Sequence, residues 1–300
     1  PGLGATISLS KSKNIYIPPA VHHLQDSVLS DPILTNRKFQ FNFKYLIQKY
    51  YFLSQTKLAQ KALLTVVDTI FVFSNNMKDQ VKKNFPKIKK NIKIVNPGVD
   101  CNHFKPSLDK ASLKKKMGFS SKDFIFLIVA RIIGVKGIHH SINAISQLDN
   151  KNIKLLIVGD GPKKHQLKML INYHKLNDKV SLLPYTNDPI KYYQVADIFL
   201  MPSTYEPFGQ TIIEAMAVGL PVIGFKYHSD FVLTATEEVV KNGTNGFLCD
   251  YSENNLAEVM ILALSLNEKK LRLISKDNRK KMIKNYSWIN CSKSLLSNGL

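Results

Sequence analysis

The sequence predicts an α/β protein built on parallel sheets in two unequal blocks, and three observations predict it. Strand-like apolar runs alternate with helix-like segments, the pattern of βαβ units. The strands of the second block are almost continuously apolar, as a sheet covered on both faces requires. At 300 residues the chain is long enough for two domains. Hydrophobic residues make up 44% of it and charged ones 21%, which excludes a disordered chain.

In the first block, NIYIPP from Asn14 to Pro19 predicts a short strand, followed by a polar loop and a long helical stretch from about Phe41 to Val67. TIFVFS (Thr69 to Ser74) is rich in β-branched and aromatic residues and predicts a strand. A helix capped near Ser74 and Asn75 follows it, and then the strand NIKIV. Three strands are too few for a complete domain of this kind. After the Pro- and Gly-bearing connection NPGVDCNHFKPS (Asn96 to Ser107), a fuller rhythm begins. Strands are expected at FIFLIVA (Phe124 to Ala130), IKLLIVG (Ile153 to Gly159), KVSLLPY, DIFLMPS (Asp197 to Ser203) and PVIGF. Helices are expected between them at GIHHSINAISQL, KKHQLKMLINYHKL, PIKYYQVA and TIIEAMAVG, with only helices beyond PVIGF. The predicted domains are residues 1–104, a partial first domain; 105–284, a complete doubly wound domain; and 285–300, a C-terminal helix packing back toward the first.

The net charge is +20 and is spread through both halves, with a dense segment from Lys82 to Lys93. It reads either as a solvated basic surface or as attraction to anionic lipid or nucleic acid. No aromatic RNA-binding signature or recognition-helix pattern accompanies it, which favours a membrane surface over nucleic acid. The three cysteines, Cys101, Cys249 and Cys291, are far apart and form no CxxC, so a reducing compartment is expected, with no disulfide frame and no zinc site. The longest apolar run, FIFLIVA, is far below the ~18 residues a spanning helix needs. The chain starts at Pro1 without a signal-like segment, so a fragment or processed product is expected.

Ligands of doubly wound sheets bind beyond the carboxyl ends of the strands. There the chain reads YEPFGQTIIEAMAVGLPV, with Glu206 and Glu214 on either side of a Phe-Gly turn. On one helix, eight residues at ~3.6 per turn would leave these acids about 80° apart. Pro207 disfavours helical geometry at Glu206, which therefore belongs to the loop leaving the Asp197 to Ser203 strand. The helix begins near Gln210 or Thr211 and ends at Gly219 before Pro221, so Glu214 lies about one turn into it. The free N–H groups of the helix start attract anions. Two acids flanking an anion-binding turn suit a ligand with hydroxyls at both ends and phosphates in the middle, the layout of a nucleotide sugar. Taken singly, Glu206 also reads as a solvated loop acid and Glu214 as a complement to the helix dipole.

EPFGQTIIEAMAVGLPVI resembles the signature of the retaining, GT-B-fold glycosyltransferases of family 4, whose E-x7-E motif is matched by Glu206 and Glu214. Other segments resemble the family in the right order: VFS ending at Ser74, VNPGVDCNHFKP, ARIIGVKG for G-R-L-x3-K-G, VGDGP, ADIFLMPS, EEVVKNGTNGFL and YSW, over roughly residues 69 to 288. The resemblance implies two Rossmann-like doubly wound domains facing a central cleft, the N-terminal one incomplete here. It also implies transfer of a hexosyl unit, with retention, from a UDP- or GDP-linked sugar to a saccharide or polyprenyl-lipid-linked acceptor. No metal or other cofactor is expected. Arg131 and Lys136 would contact the donor diphosphate, Glu206 the sugar hydroxyls near the reacting carbon, and Glu214 the ribose. Backbone amides around Phe208, Gly209 and Gln210 would hold sugar and phosphate. Gly159 and Gly161 of VGDGP read equally as a plain turn or a loop lining the donor. Of His22 and His23, one is expected near the donor sugar, with His23 favoured. Base recognition is expected around Pro184 and Tyr185.

Two departures stand out. The family's N-terminal Gly-rich loop and opening strands are absent, and Gly224 to Val240 replaces a short Gly-Gly turn with a longer segment in which Glu238 matches the family's acid. An inactive nucleotide-sugar-binding module, a GT-B sugar-nucleotide epimerase and, more remotely, a basic nucleic-acid-binding protein are the alternatives. Residues 1–104 carry 15 basic and 5 acidic residues, which suits a cytoplasmic enzyme at the inner leaflet of a membrane.

Overall fold

The computed structural model describes residues 5–10, 13–17, 67–87 and 89–299. The chain divides into two compact units, Pro1–Asn96 together with Cys291–Leu300, and Pro97–Asn290. The first boundary falls at the start of the Asn96 to Ser107 connection.

In the first unit four strands lie in the order β1 (Ala5–Ser10), β2 (Lys13–Ile17), β3 (Thr69–Val72), β4 (Asn91–Ile94). The first pair is antiparallel and the others parallel. β1 is an addition to the strands expected, because its serines and threonine dilute the apolar signal. Helix α1 (Asn75–Asn84) starts where Ser74 accepts a hydrogen bond from Met77 N–H at 3.0 Å. Phe71 and Val95 pack with Cys291 and Leu295 of the last helix, Trp288–Gly299. The helical stretch expected before Val67 lies outside the described residues.

The second unit is a six-stranded, all-parallel sheet. Its strands are β5 (Phe124–Val129), β6 (Ile153–Val158), β7 (Val180–Leu183), β8 (Ile198–Met201), β10 (Val222–Phe225) and β12 (Gly246–Cys249). Across the sheet they run β7-β6-β5-β8-β10-β12, so the direction of winding reverses between β5 and β8. β8 and β10 are fully buried, as two covered faces demand. β12 corrects the expectation that only helices follow PVIGF: four residues between a turn and a polar loop give too short a signal to read. A two-stranded piece, β9 (Tyr205–Glu206) with β11 (Leu233–Thr234), lies outside the main sheet.

The sheet's amino edge is held by Asp197, which accepts from Lys110 Nζ at 2.6 Å, Lys114 Nζ at 2.9 Å and Ile125 N–H at 2.8 Å. Among the described residues no helix is long and apolar enough to cross a membrane. The three cysteines are free thiols.

Candidate functional site

A doubly wound sheet binds ligands at the carboxyl edge where its winding reverses, and that point lies between β5 and β8. The loops leaving these two strands are locked together. Thr204 N–H donates to Val135 O at 2.9 Å, and Gly137 lies so close to Pro202 O that a side chain there would collide with it. This closure brings Lys136, on the turn Gly134–Lys136 after β5, against Glu206 after β8. Lys136 Nζ donates to Glu206 Oε2, and the two side chains are only 14% and 13% exposed. The backbone of Glu206 is fixed separately. It pairs in register with Thr234 of β11, and its carbonyl accepts from Ala235 N–H at 3.0 Å.

Glu206 is in a strand-like loop and Glu214 in helix α6 (Gln210–Val218), as Pro207 and Gly209 predict. Gly209 takes φ 95° at the helix N-cap, a left-handed conformation that leaves the first turn without a side-chain cap. Phe208 beside it is buried. Gln210 uses its side chain differently, donating from Nε2 to Gly98 O at 3.0 Å. Glu214 accepts a hydrogen bond from Tyr193 Oη at 2.8 Å. Tyr193, on helix α5 (Ile190–Val195), is fully buried, with Phe104 edge-on at 5.7 Å. Burial raises the Glu214 carboxyl above its ordinary value, while the Tyr193 hydroxyl opposes the shift. Burial and the neighbouring carboxylate push the Tyr193 hydroxyl well up, so it stays a donor.

Arg131 is exposed and makes no side-chain hydrogen bond or ion pair with the described residues. Gly159 and Gly161 back onto the carbonyls of Ala130 and Ile132, where a side chain would collide, so they let the VGDGP turn close against the Arg131 loop. Glu238 is half-buried on the short helix Thr236–Val239. His22 and His23 lie outside the described residues. Sequence reasoning missed Tyr193: a tyrosine in PIKYYQVA carries no mark of its partner 21 residues on. Among the described residues no group of three or more His, Cys, Asp or Glu is placed to hold a metal ion.

The strand order and its reversal make the second unit a doubly wound α/β domain, and the solved structures that superpose on the chain are of the GT-B fold class. The crystal structure of Anabaena HepE in complex with UDP-glucose superposes with a TM-score of 0.69 at 21% identity, over 81% of this chain and 67% of that one. That likeness is one of fold. The model of the family "Glycosyl transferases group 1" matches residues 109–282, and the chain belongs to that family. An uncharacterised glycosyltransferase of Methanocaldococcus jannaschii is 28% identical over 235 residues, 76% of this chain and 58% of the relative. The UDP-Gal:alpha-D-GlcNAc-diphosphoundecaprenol alpha-1,3-galactosyltransferase of Escherichia coli is 28% identical over 204 residues, 65% of this chain and 50% of the relative. The chain thus spans between half and three fifths of the length of these two relatives.

Proposed function

We propose that this chain carries the donor site of a glycosyltransferase that moves a hexosyl unit from a UDP- or GDP-linked sugar to a saccharide or polyprenyl-lipid-linked acceptor, with retention. The observation that carries the reading is the Lys136–Glu206 pair at the reversal of the sheet. It joins one cation and one hydroxyl-binding carboxylate at a single point. In the bound state Lys136 and the exposed Arg131 take the diphosphate, Glu206 the sugar hydroxyls and Glu214 the ribose. Backbone groups of Phe208, Gly209 and Gln210 complete the sugar and phosphate contacts, and Gly159 and Gly161 line the donor from the neighbouring turn.

The bond between C1 of the sugar and the β-phosphate oxygen breaks as the acceptor oxygen bonds to C1 on the same face. The acceptor proton passes to the departing phosphate, and fixed cations stabilise the charge gathering there. No metal is assigned a part. The relative that acts on a diphosphoundecaprenol-linked acceptor supports a lipid-linked substrate. The basic segment from Lys82 to Lys93 supports work at an anionic inner leaflet in cell-surface polysaccharide or glycolipid synthesis.

Thermal stabilisation by UDP, GDP, ADP and their hexose conjugates tests the reading. A ligand at 100 times its Kd adds about 2.7 kcal/mol. One nucleotide is expected to shift the wild type by that amount and Glu214→Ala by about half of it or less, because the variant's affinity falls at least about tenfold with the lost charged hydrogen bonds. No shift from any nucleotide refutes donor binding by this chain.

A further inference from the structure

The segment that replaces the family's Gly-Gly turn is a closed aromatic turn. His228 and Val232 exchange both backbone hydrogen bonds, at 2.8 and 3.0 Å. Tyr227 N–H donates to Glu237 Oε2 at 2.8 Å, and the chain runs from Val232 into β11, whose Thr234 is in register with Glu206. The turn is therefore tied to the strand that carries the paired acid. On it the rings of His228 and Phe231 stack at 3.7 Å and 13°, and Phe231 lies 5.2 Å from Tyr251. Tyr227, Phe231 and Tyr251 are 48%, 46% and 37% exposed, a cluster of half-open rings at the carboxyl edge of β10 and β12.

Behind the rings runs a polar relay. Tyr251 Oη is 3.1 Å from His140 Nε2, His140 Nδ1 is 3.2 Å from Glu253 Oε1, and Asn143 Nδ2 donates to the same carboxylate oxygen at 2.6 Å. A carboxylate only accepts, so Nδ1–H of His140 donates to Glu253 and Nε2 is left to accept from the tyrosine. The Tyr251 proton then points inward, and the lone pairs of its oxygen are open to a donor. Burial holds the His140 ring below its ordinary value, which keeps it neutral in this role. The His140 ring also lies beside the backbone of Gly137, the residue after Lys136.

We infer that the 227–231 turn and Tyr251 form a saccharide subsite. A pyranose ring lays its C–H face on the rings of Phe231 and Tyr251 and donates one hydroxyl to Tyr251 Oη. Aromatic faces are electron-rich and attract the weakly positive C–H groups of a sugar. The fixed hydroxyl acceptor beside them distinguishes this surface from one made for an acyl chain. The exposed Lys226–Asp250 pair, 3.0 Å apart, gives it a polar rim. The inference rests on the glycosyltransferase reading, and the sugar is either the donor's hexose or the acceptor's.

The test uses the whole chain, with wild type, Phe231→Ala and Tyr251→Phe compared. Calorimetry measures UDP, UDP-glucose, UDP-galactose and UDP-N-acetylglucosamine, and saturation-transfer NMR measures the methyl glucoside, galactoside and mannoside with UDP present. Neither variant is expected to change UDP affinity by more than about twofold. Tyr251→Phe weakens the sugar-bearing ligand by between about twofold and tenfold, and Phe231→Ala removes its ring contact. Losses confined to a UDP-sugar identify the donor hexose, and losses confined to a methyl glycoside identify the acceptor side. Variants that bind every sugar-bearing probe as the wild type does overturn the subsite, as does a wild type that binds UDP but no sugar preferentially. A wild type that binds neither UDP nor any UDP-sugar fails the donor reading instead. Saturation transfer to the glycosides then decides the subsite by itself, and its absence overturns the subsite as well.

Discussion

Replacing Tyr193 by Phe removes one oxygen and keeps the buried ring. That oxygen donates at 2.8 Å to Glu214, and a hydrogen bond to a charged group contributes about 1.5–3 kcal/mol. For a unit of this size the loss lowers Tm by about 3–12 °C in a calorimetric scan. A purely structural bond would end there. If the hydroxyl also orients Glu214 toward a ribose, the variant loses discrimination between UDP and 2′-deoxy-UDP, because the freed carboxylate no longer meets the 2′-hydroxyl at a fixed angle. Isothermal titration of both nucleotides into wild type, Tyr193→Phe and Glu214→Gln reads the ratio of their Kd values. The expected order of discrimination is wild type, then Tyr193→Phe, then Glu214→Gln. A Tyr193→Phe protein that melts early yet keeps the wild-type ratio refutes the positioning role. An unchanged ratio in Glu214→Gln removes the acid from the ribose.

Lys136→Met is expected to weaken UDP binding at least about tenfold, since a buried carboxylate loses its cation and the phosphates lose theirs; titration calorimetry with an unchanged Kd would take Lys136 out of the site. Asp197→Asn leaves Lys110 and Lys114 without their shared partner. It is expected to destabilise the chain by about 3 kcal/mol in urea unfolding while leaving nucleotide affinity alone, and a coupled loss of affinity would contradict the separation of the two sheet edges. Burial raises the folded-state value of Glu214 above its ordinary 4.5, so the folded state holds that proton more tightly than the unfolded state. Its contribution to stability therefore falls as pH rises from about 4.5 through the raised value. The stability of wild type relative to Glu214→Gln should decline over that window, and a rise would mean the carboxylate form is the one favoured.

What was legible in the sequence was local. Continuous apolar runs marked β5, β6 and β8, and Pro207, Gly209 and Gly219 set the limits of Glu206's loop and of α6, because strand burial and backbone breaks act over a few residues. The edge strand Gly246–Cys249 escaped, since four residues between turns carry little periodicity and its place is set by pairing with β10. The partners of the site escaped for the same reason. Tyr193 meets Glu214, Tyr251 meets His140 across 111 positions, and the Gln210 side chain meets the backbone at Gly98. These contacts exist only after the sheet has assembled, and no local propensity encodes them.

On the proposed donor reading, the pairing of Lys136 with Glu206 also sets what the site refuses. A ligand that brings only an anion takes the lysine and strands a carboxylate that is 13% exposed. One that brings only hydroxyls satisfies the carboxylate and leaves the lysine without a counter-charge. Each half-fit strips a charge of its partner in a poorly hydrated place, where removing one member of a pair costs about 3–5 kcal/mol. A molecule carrying both features, correctly spaced, avoids that penalty. On that reading the pair acts as a coincidence detector: it discriminates against phosphate alone and hexose alone without any steric gate, through two side chains that hold each other until both are claimed at once.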